Sequence, residues 1–387
     1  MTSPSSLYLH IPFCRIKCTY CAFNTYVNLD NLIEPFVEAI IHEIEIVGRS
    51  QEKQILHTVY IGGGTPSLLT AEQLHRILAA IQREFDLLAG SEISMESNPS
   101  DLTSEYMASV RAVGINRLSI GMQSANEREL KLFERRHDLD AVIKAVDAAR
   151  KGGFDNLNLD LIYGIPEQTL AEWENSLKVM LELQPEHVSL YALGLEDGTP
   201  LKTWVETGKF PAPDDDLAAD MYDMATDMLG GAGLEQYEIS NWAKPGLECQ
   251  HNLQYWRNLP YPGVGPGAHG YAGGVRYSTI LSPQRYIKVM NDHNSGFEYP
   301  RTPATDQAVV VDRESEIAET LIMGLRLTKE GINREVFRQR FGADLLEVHP
   351  ETIARYEKHG LLFVDNEVVR ITTKGRLLSN MVFRDLV

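Results

Sequence analysis

Short apolar runs alternate with longer stretches of helical periodicity through the first 240 residues. An apolar run of a few residues reads as a strand, and apolar positions recurring every three to four residues read as a helix face. Residues 7–13 read as a strand. Residues 32–47 follow as a helix, with Ile33, Phe36, Val37, Ile40, Ile41 and Ile44 on its apolar face. Residues 58–61 form a second strand that runs into Gly62, Gly63 and Gly64. The next helix opens at Thr70, with Gln73 three residues on, which is the signature of a capping box. Further strands are predicted at 92–96, 117–121, 156–163 and 187–193. Helices are predicted at 103–112, through 130, at 139–150 and at 170–183. The six β–α units predict an α/β fold with a parallel sheet and helical crossovers.

The strand ends refine that picture. Cys14, Thr65, Glu96, Gln123, Asp160 and Tyr191 stand at successive C-terminal ends. In a barrel such ends converge on one mouth, whereas an open doubly wound sheet uses mainly one switch point. A partial (β/α)6 barrel over residues 1–240 is therefore predicted. Residues 241–300 form a less regular connecting segment. From 301 the pattern changes to helices at 315–327, 333–341 and 351–359, then a hairpin across Asp365 and Asn366. Residues 301–387 are thus expected to form a small helical, winged-helix-like domain.

Composition narrows the function classes. The hydrophobic fraction of 43% is enough to bury an ordinary core. The formal charge of −18 repels phosphate backbones, so nucleic acid is not an expected partner. Acidic and basic residues nearly balance beyond residue 300, which argues against DNA binding by the winged-helix-like part. No signal peptide and no apolar run of about 18 residues is visible, so a cytoplasmic protein is expected.

Only four cysteines occur, and Cys14, Cys18 and Cys21 fall together. Such thiolates are the usual ligands of iron–sulfur clusters, and a cubane takes four. Three on one loop leave one iron open for chemistry, by the logic of open catalytic metal sites. The competing reading is zinc, with a fourth ligand from Cys249 or a histidine; no second CxxC-like half supports it. The glycine run at 62–64 follows a strand, where backbone can approach a ligand closely.

The cysteine spacing, with an aromatic before the last, resembles the radical S-adenosylmethionine (SAM) superfamily. Tyr8 to Cys14, Gly62 to Pro66, Gly121 to Gln123 and Asp160 to Gly164 together resemble the oxygen-independent coproporphyrinogen III oxidase family, from about residue 6 to the C-terminus. The resemblance implies a [4Fe–4S] cluster on Cys14, Cys18 and Cys21. It implies SAM on Tyr8, Gly63, Thr65, Glu96, Gln123, Arg135, Asp160 and Ala192. In that reading Arg135 pairs with the SAM carboxylate, Gln123 and Asp160 accept from ribose, Glu96 holds the amino group or ribose, and Tyr8 packs near the cluster.

Two departures separate the chain from the oxidase itself. Phe23 stands where that enzyme has a further cysteine, and the stretch ahead of Cys14 is shorter than its N-terminal segment. Both features resemble the sister haem-chaperone branch, HemW, as do His251, Asn252, Tyr255 and Trp256 and the run Gly263 to His269. That resemblance implies haem as bound cargo, with His251 as its contact and Tyr255 and Trp256 as flat packing surfaces. Cys249 is either a second iron ligand or a buried thiol. The glycine run at 263–267 either lies against SAM or closes the barrel mouth. The branch further implies haem-requiring, membrane-associated acceptor proteins and a peripheral membrane location through them. It leaves SAM and cluster to regulate haem transfer or homodimer formation, without catalytic residues or oxidase turnover. The alternative is a radical enzyme acting on a tetrapyrrole. A cluster-bearing electron carrier would leave the SAM set unexplained.

Overall fold

The computed structural model describes residues 4–292 and 296–386. Six parallel strands lie side by side in chain order: β1 (Ser5–Ile11), β2 (Ile55–Gly63), β3 (Asp86–Ser97), β4 (Arg117–Gln123), β5 (Leu157–Tyr163) and β6 (His187–Ala192). The crossovers contain α1 (Ile33–Arg49), α2 (Ala71–Glu84), α3 (Ser104–Ala112), α4 (Glu127–Leu132), α5 (Leu139–Lys151) and α6 (Leu170–Glu182). Thr70 with Gln73, and Thr169 with Glu172, form reciprocal capping boxes that start α2 and α6. These satisfy amide donors that a helix start leaves unpaired.

The strands alternate in a way that parallel strands usually do not. Leu7, Leu9 and Ile11 on β1 are fully buried in the core under the helices. Ser6, Tyr8 and His10 fall on its other face, as Glu92, Ser94 and Glu96 do on β3. Parallel sheets covered on both sides normally read as continuous apolar runs. Here the inner face is polar because it surrounds a cavity. Side chains from β2 through β6 line that one cavity, so the sheet curves into the predicted partial barrel.

Residues 195–300 extend the barrel, and from 241 onward they contain more structure than their irregular pattern suggests. After α7 (Pro200–Glu206) and α8 (Asp215–Gly231), β7 (Glu235–Glu238) and β8 (Asn241–Ala243) add antiparallel strands beyond β6. The short helix α9 (Gln250–Trp256) packs against β1 and β2. β9 (Gly263–Val264) then pairs in parallel with β1, at the opposite edge. β10 (His269–Ala272), β11 (Val275–Thr279) and β12 (Thr305–Val310) form a separate antiparallel sheet, with α10 (Pro283–Asp292) between its last two strands.

Beyond it, α11 (Arg313–Gly324), α12 (Arg334–Phe341), α13 (Leu345–Val348) and α14 (Pro350–Lys358) pack on a ribbon of β13 (Ile332–Asn333), β14 (Leu362–Val364) and β15 (Val368–Ile371). This unit has its own core, which includes Leu321, Phe337, Ile353 and Val369. Arg340 joins it to the chain after α9, donating to the Arg257 and Asn258 carbonyls while pairing with Glu316. Among the described residues, no helix is long and apolar enough to cross a membrane.

Candidate functional site

The cavity measures about 660 Å³, within the usual range for small-molecule sites. Cys14, Cys18 and Cys21 stand on the loop after β1 and line it; all three thiols are free and half-buried. The loop is pinned from several directions. Cys14 N–H donates to the Tyr26 carbonyl, and Cys21 N–H to Cys18. Asn24 donates its amide to the Pro266 and Leu281 carbonyls, both at 2.9 Å. Burial raises the Cys14 and Cys21 thiols, against the pull of a Thr65 hydroxyl on the first and the Phe23 backbone on the second.

The glycine run is shaped by this loop. Gly63 has φ +111°, and a Cβ there would lie 2.7 Å from the His10 ring. A Cβ on Gly64 would meet the Phe13 carbonyl at 2.6 Å and the Cys14 sulfur at 3.1 Å. Any side chain would push the cysteine loop away. Thr65 completes the contact, its hydroxyl donating to Cys14 Sγ at 3.4 Å.

Glu96 ends its inner-face row beside these glycines. It accepts from Gly63 N at 2.9 Å and from the Tyr60 hydroxyl at 3.0 Å. Burial, and then the charge on Asp160, push its carboxyl up to about 7. Asp160 is raised as well, chiefly by burial, while accepting from Asn158 and Ser119. Gln123 closes β4 in the left-handed region, with φ 65°, a strained setting for a residue other than glycine. Arg135 donates to Cys18 Sγ at 3.5 Å and to the Gly121 carbonyl at 2.9 Å, while its buried Nε has no partner. Ala192 lies exposed to the same space.

Seven of the eight residues expected to bind SAM therefore face one cavity with the three cysteines. Tyr8 does not line it. Its hydroxyl bonds to His10 Nδ1, and its ring stacks 6.3 Å from Tyr60. The polar chemistry of the seven suits a zwitterion carrying hydroxyls: carboxylates for an ammonium and ribose, and a guanidinium for a carboxylate. Three thiols on one loop supply three of the four ligands that a cubane takes, and no second CxxC-like half is present to complete a zinc set.

His251 does not line the cavity. It is fully buried, and both ring nitrogens are engaged. Thr58 Oγ1 donates to Ser6 and so accepts from His251 Nδ1, at 2.8 Å. Nε2 is then the acceptor for the Tyr255 hydroxyl, also at 2.8 Å. Desolvation first, then the charges of His57 and Arg117, hold the imidazole down at about 3. In this conformation the ring has no lone pair to offer iron. Its face stacks on Tyr60 at 5.1 Å.

Tyr255 and Trp256 are also absorbed into packing, against Tyr261 and beneath the Arg326 guanidinium. Cys249 resolves to the buried-thiol reading, bonded to Glu92 with its thiol pushed up to about 12, first by burial. The glycine run at 263–267 takes neither expected place. Its start forms β9, and Gly267 packs on the Asn24 side chain behind the cysteine loop. Gly265 N–H donates to Glu43 on α1, a buried carboxylate that also accepts from Tyr286 and Thr302.

Sequence reasoning missed Arg117 and Tyr60, which also line the cavity. Arg117 opens β4 and Tyr60 lies within β2, so neither stands at the C-terminal strand ends that signal a site in this fold.

Comparison with known proteins agrees with this geometry. Residues 8–180 match the Radical SAM superfamily, and residues 311–378 match the HemN C-terminal domain. The chain is 36% identical to a protein of Lactococcus lactis named heme chaperone HemW, over 99% of this chain and 97% of that one. It is 36% identical to the heme chaperone HemW of Bacillus subtilis, over 98% of each. The solved structure of the Escherichia coli coproporphyrinogen III oxidase HemN superposes with a TM-score of 0.83 at 24% identity, covering 99% of this chain and 90% of that one. That likeness establishes the fold. Membership of the superfamily implies a [4Fe–4S] cluster and SAM. With full-length relatives at this identity, the chain belongs to the radical SAM superfamily, in the family of the HemW proteins.

Proposed function

We propose that this protein binds haem and delivers it to haem-requiring proteins, and that a cluster on Cys14, Cys18 and Cys21, with SAM beside it, governs that delivery. The carrying observation is the meeting of three free thiols with the strand-end set in one cavity. In this reading Arg135 orients the SAM carboxylate, and Glu96 takes the ammonium or ribose. Gln123 and Asp160 hold ribose hydroxyls, while Gly63, Thr65 and Ala192 shape the walls. When bound and reduced, the cluster supplies one electron for SAM cleavage; the residues supply position and exclusion of water.

Support for haem as cargo comes from the full-length relatives named haem chaperones. His251 enters that role only where the Tyr255 hydroxyl has left Nε2. The acceptors in this reading are membrane-associated haem proteins, and the protein is peripheral to the membrane through them. The cysteine-to-phenylalanine departure at Phe23, which is exposed beside the cluster loop, favours this reading over tetrapyrrole decarboxylation.

The test is anaerobic reconstitution followed by separate addition of haem and coproporphyrinogen III. Stoichiometric haem binding, transfer to an apo-haem protein and no decarboxylated product are expected. Formation of protoporphyrinogen would replace the chaperone reading with the oxidase one.

A further inference from the structure

Below the strand-end residues the cavity continues inward to a floor that the proposed function does not use. Arg117 opens β4 opposite Ser94, two residues before the level of Glu96, and so roughly 7 Å deeper in the barrel. It is only 2% exposed, yet it lines the cavity. Asn252 of α9 lines it too.

The charge on Arg117 has no direct partner. Its buried Nε makes no hydrogen bond, and among the described residues no carboxylate lies in direct ion-pair contact with it, although Glu92 acts on it at longer range. The nearby charge of Glu92 favours the guanidinium without pairing with it directly, and the oxygens of that carboxylate are occupied by other donors. Glu92 accepts from Cys249 Sγ, Ser94 Oγ and the Gln250 and His251 amides. Asp160 is held by Asn158 and Ser119. The Cys249 thiol, pushed up to about 12 chiefly by burial, is neutral at ordinary pH. Tyr60 and Tyr237 are raised by burial as well, so they remain neutral. A buried charge is costly unless it is paired. Its natural complement is an anion entering from the cavity.

We propose that the floor of the barrel, built from Arg117 and Asn252, is a binding site for a carboxylate. The planar guanidinium matches a carboxylate in a two-point bond, and the Asn252 carboxamide offers a further donor. Arg15 and Lys17, between the cluster cysteines and also lining the cavity, favour entry of an anion into an otherwise acidic protein. The carboxylate belongs either to a small free acid or to an arm of a larger ligand reaching down from the mouth.

The probe is acetate, titrated into the full-length, cluster-reconstituted and SAM-saturated protein and followed by line broadening of carbon-13-labelled acetate. Saturable binding is expected, weakened at least tenfold in Arg117→Met. Should that variant fail to fold, Asn252→Asp places a competing carboxylate beside an intact guanidinium and is expected to abolish acetate binding. No saturable binding to the wild type, unchanged affinity in either variant, or one-for-one competition between acetate and SAM would overturn the proposal. Haem separates the two sources. Displacement of acetate by haem, but not by its dimethyl ester, assigns the site to a propionate arm; no displacement assigns it to a free acid.

Discussion

The two ends of the barrel use the same residue types in opposite ways. At the mouth stand cysteines, a carboxylate and an arginine with bonding capacity left over: free thiols, a raised Glu96 and an unpartnered Arg135 Nε. At the other end, α9 brings a cysteine and a histidine next to another carboxylate, and there each is consumed. Glu92 accepts from the first amides of α9, Cys249 bonds to Glu92, and both nitrogens of His251 are taken. A residue type signals chemistry only where its valence is open. Arg117 is the exception at the closed end, which is why it draws a ligand.

The largest effect that would sharpen this contrast is at the mouth. Alanine at Cys14, Cys18 or Cys21 should abolish cluster assembly, read as loss of iron and sulfide after anaerobic reconstitution, with far-UV circular dichroism unchanged. Iron retained in full by any of the three would break the contrast at its open end.

At the closed end, His251→Ala should destabilise the protein by about 3 kcal/mol, since it opens a cavity and strands the Thr58 and Tyr255 hydroxyls. Denaturant unfolding measures this. A variant as stable as wild type but lacking the haem Soret band would instead make the histidine a ligand. Tyr255→Phe then serves as a companion, because it frees Nε2 and would tighten haem only if iron binds there.

Arg135→Gln should weaken SAM by about 2 kcal/mol, the range for losing a charge-assisted bond, as read by equilibrium dialysis. A change under twofold would remove Arg135 from the SAM set.

Glu96 provides a pH test with a defined sign. Its folded carboxyl titrates near 7 against an ordinary value of 4.5. Between those values the folded chain keeps a proton that the unfolded chain has lost. Stability from this group is therefore fullest below 4.5 and declines as pH rises towards 7. A SAM ammonium favours the ionised form, so SAM binding should release up to one proton near pH 6 and tighten towards pH 8. Calorimetry in two buffers measures the release, and Glu96→Gln should flatten it.

The smallest effect lies away from both ends. Arg340→Ala should lower stability by about 1 kcal/mol, because the ion pair is partly exposed, and leave SAM affinity unchanged. A large loss of SAM affinity would show that the C-terminal unit shapes the cavity.

The sequence was most legible where local rules act alone. The capping pair Thr70 and Gln73 marked the start of α2, and helical spacing from Ile33 to Ile44 marked α1. Strand-end position placed Thr65, Glu96, Gln123 and Asp160 around one cavity because parallel strands in chain order leave little freedom in where their ends go; Arg135, on the loop after α4, was found only through the family resemblance. The failures are long-range. β9 pairs with a strand that begins the chain, a contact with no local pattern. β12 lies beyond residue 300, where the change of pattern suggested helices; its exposed Val309 and Val310 offer no buried face to read. The closed surroundings of His251 likewise leave no local pattern, because Thr58 and Tyr60 belong to a distant strand.

The fastening of Asn24 to Pro266, 242 positions later, has a consequence for biosynthesis. A ribosome releases the loop of Cys14, Cys18 and Cys21 long before the segment that braces it. If that brace sets the thiols in place, cofactor loading follows the docking of the glycine run. A chain halted before Pro266 should take up iron poorly beside its finished counterpart, which iron analysis of the two would show.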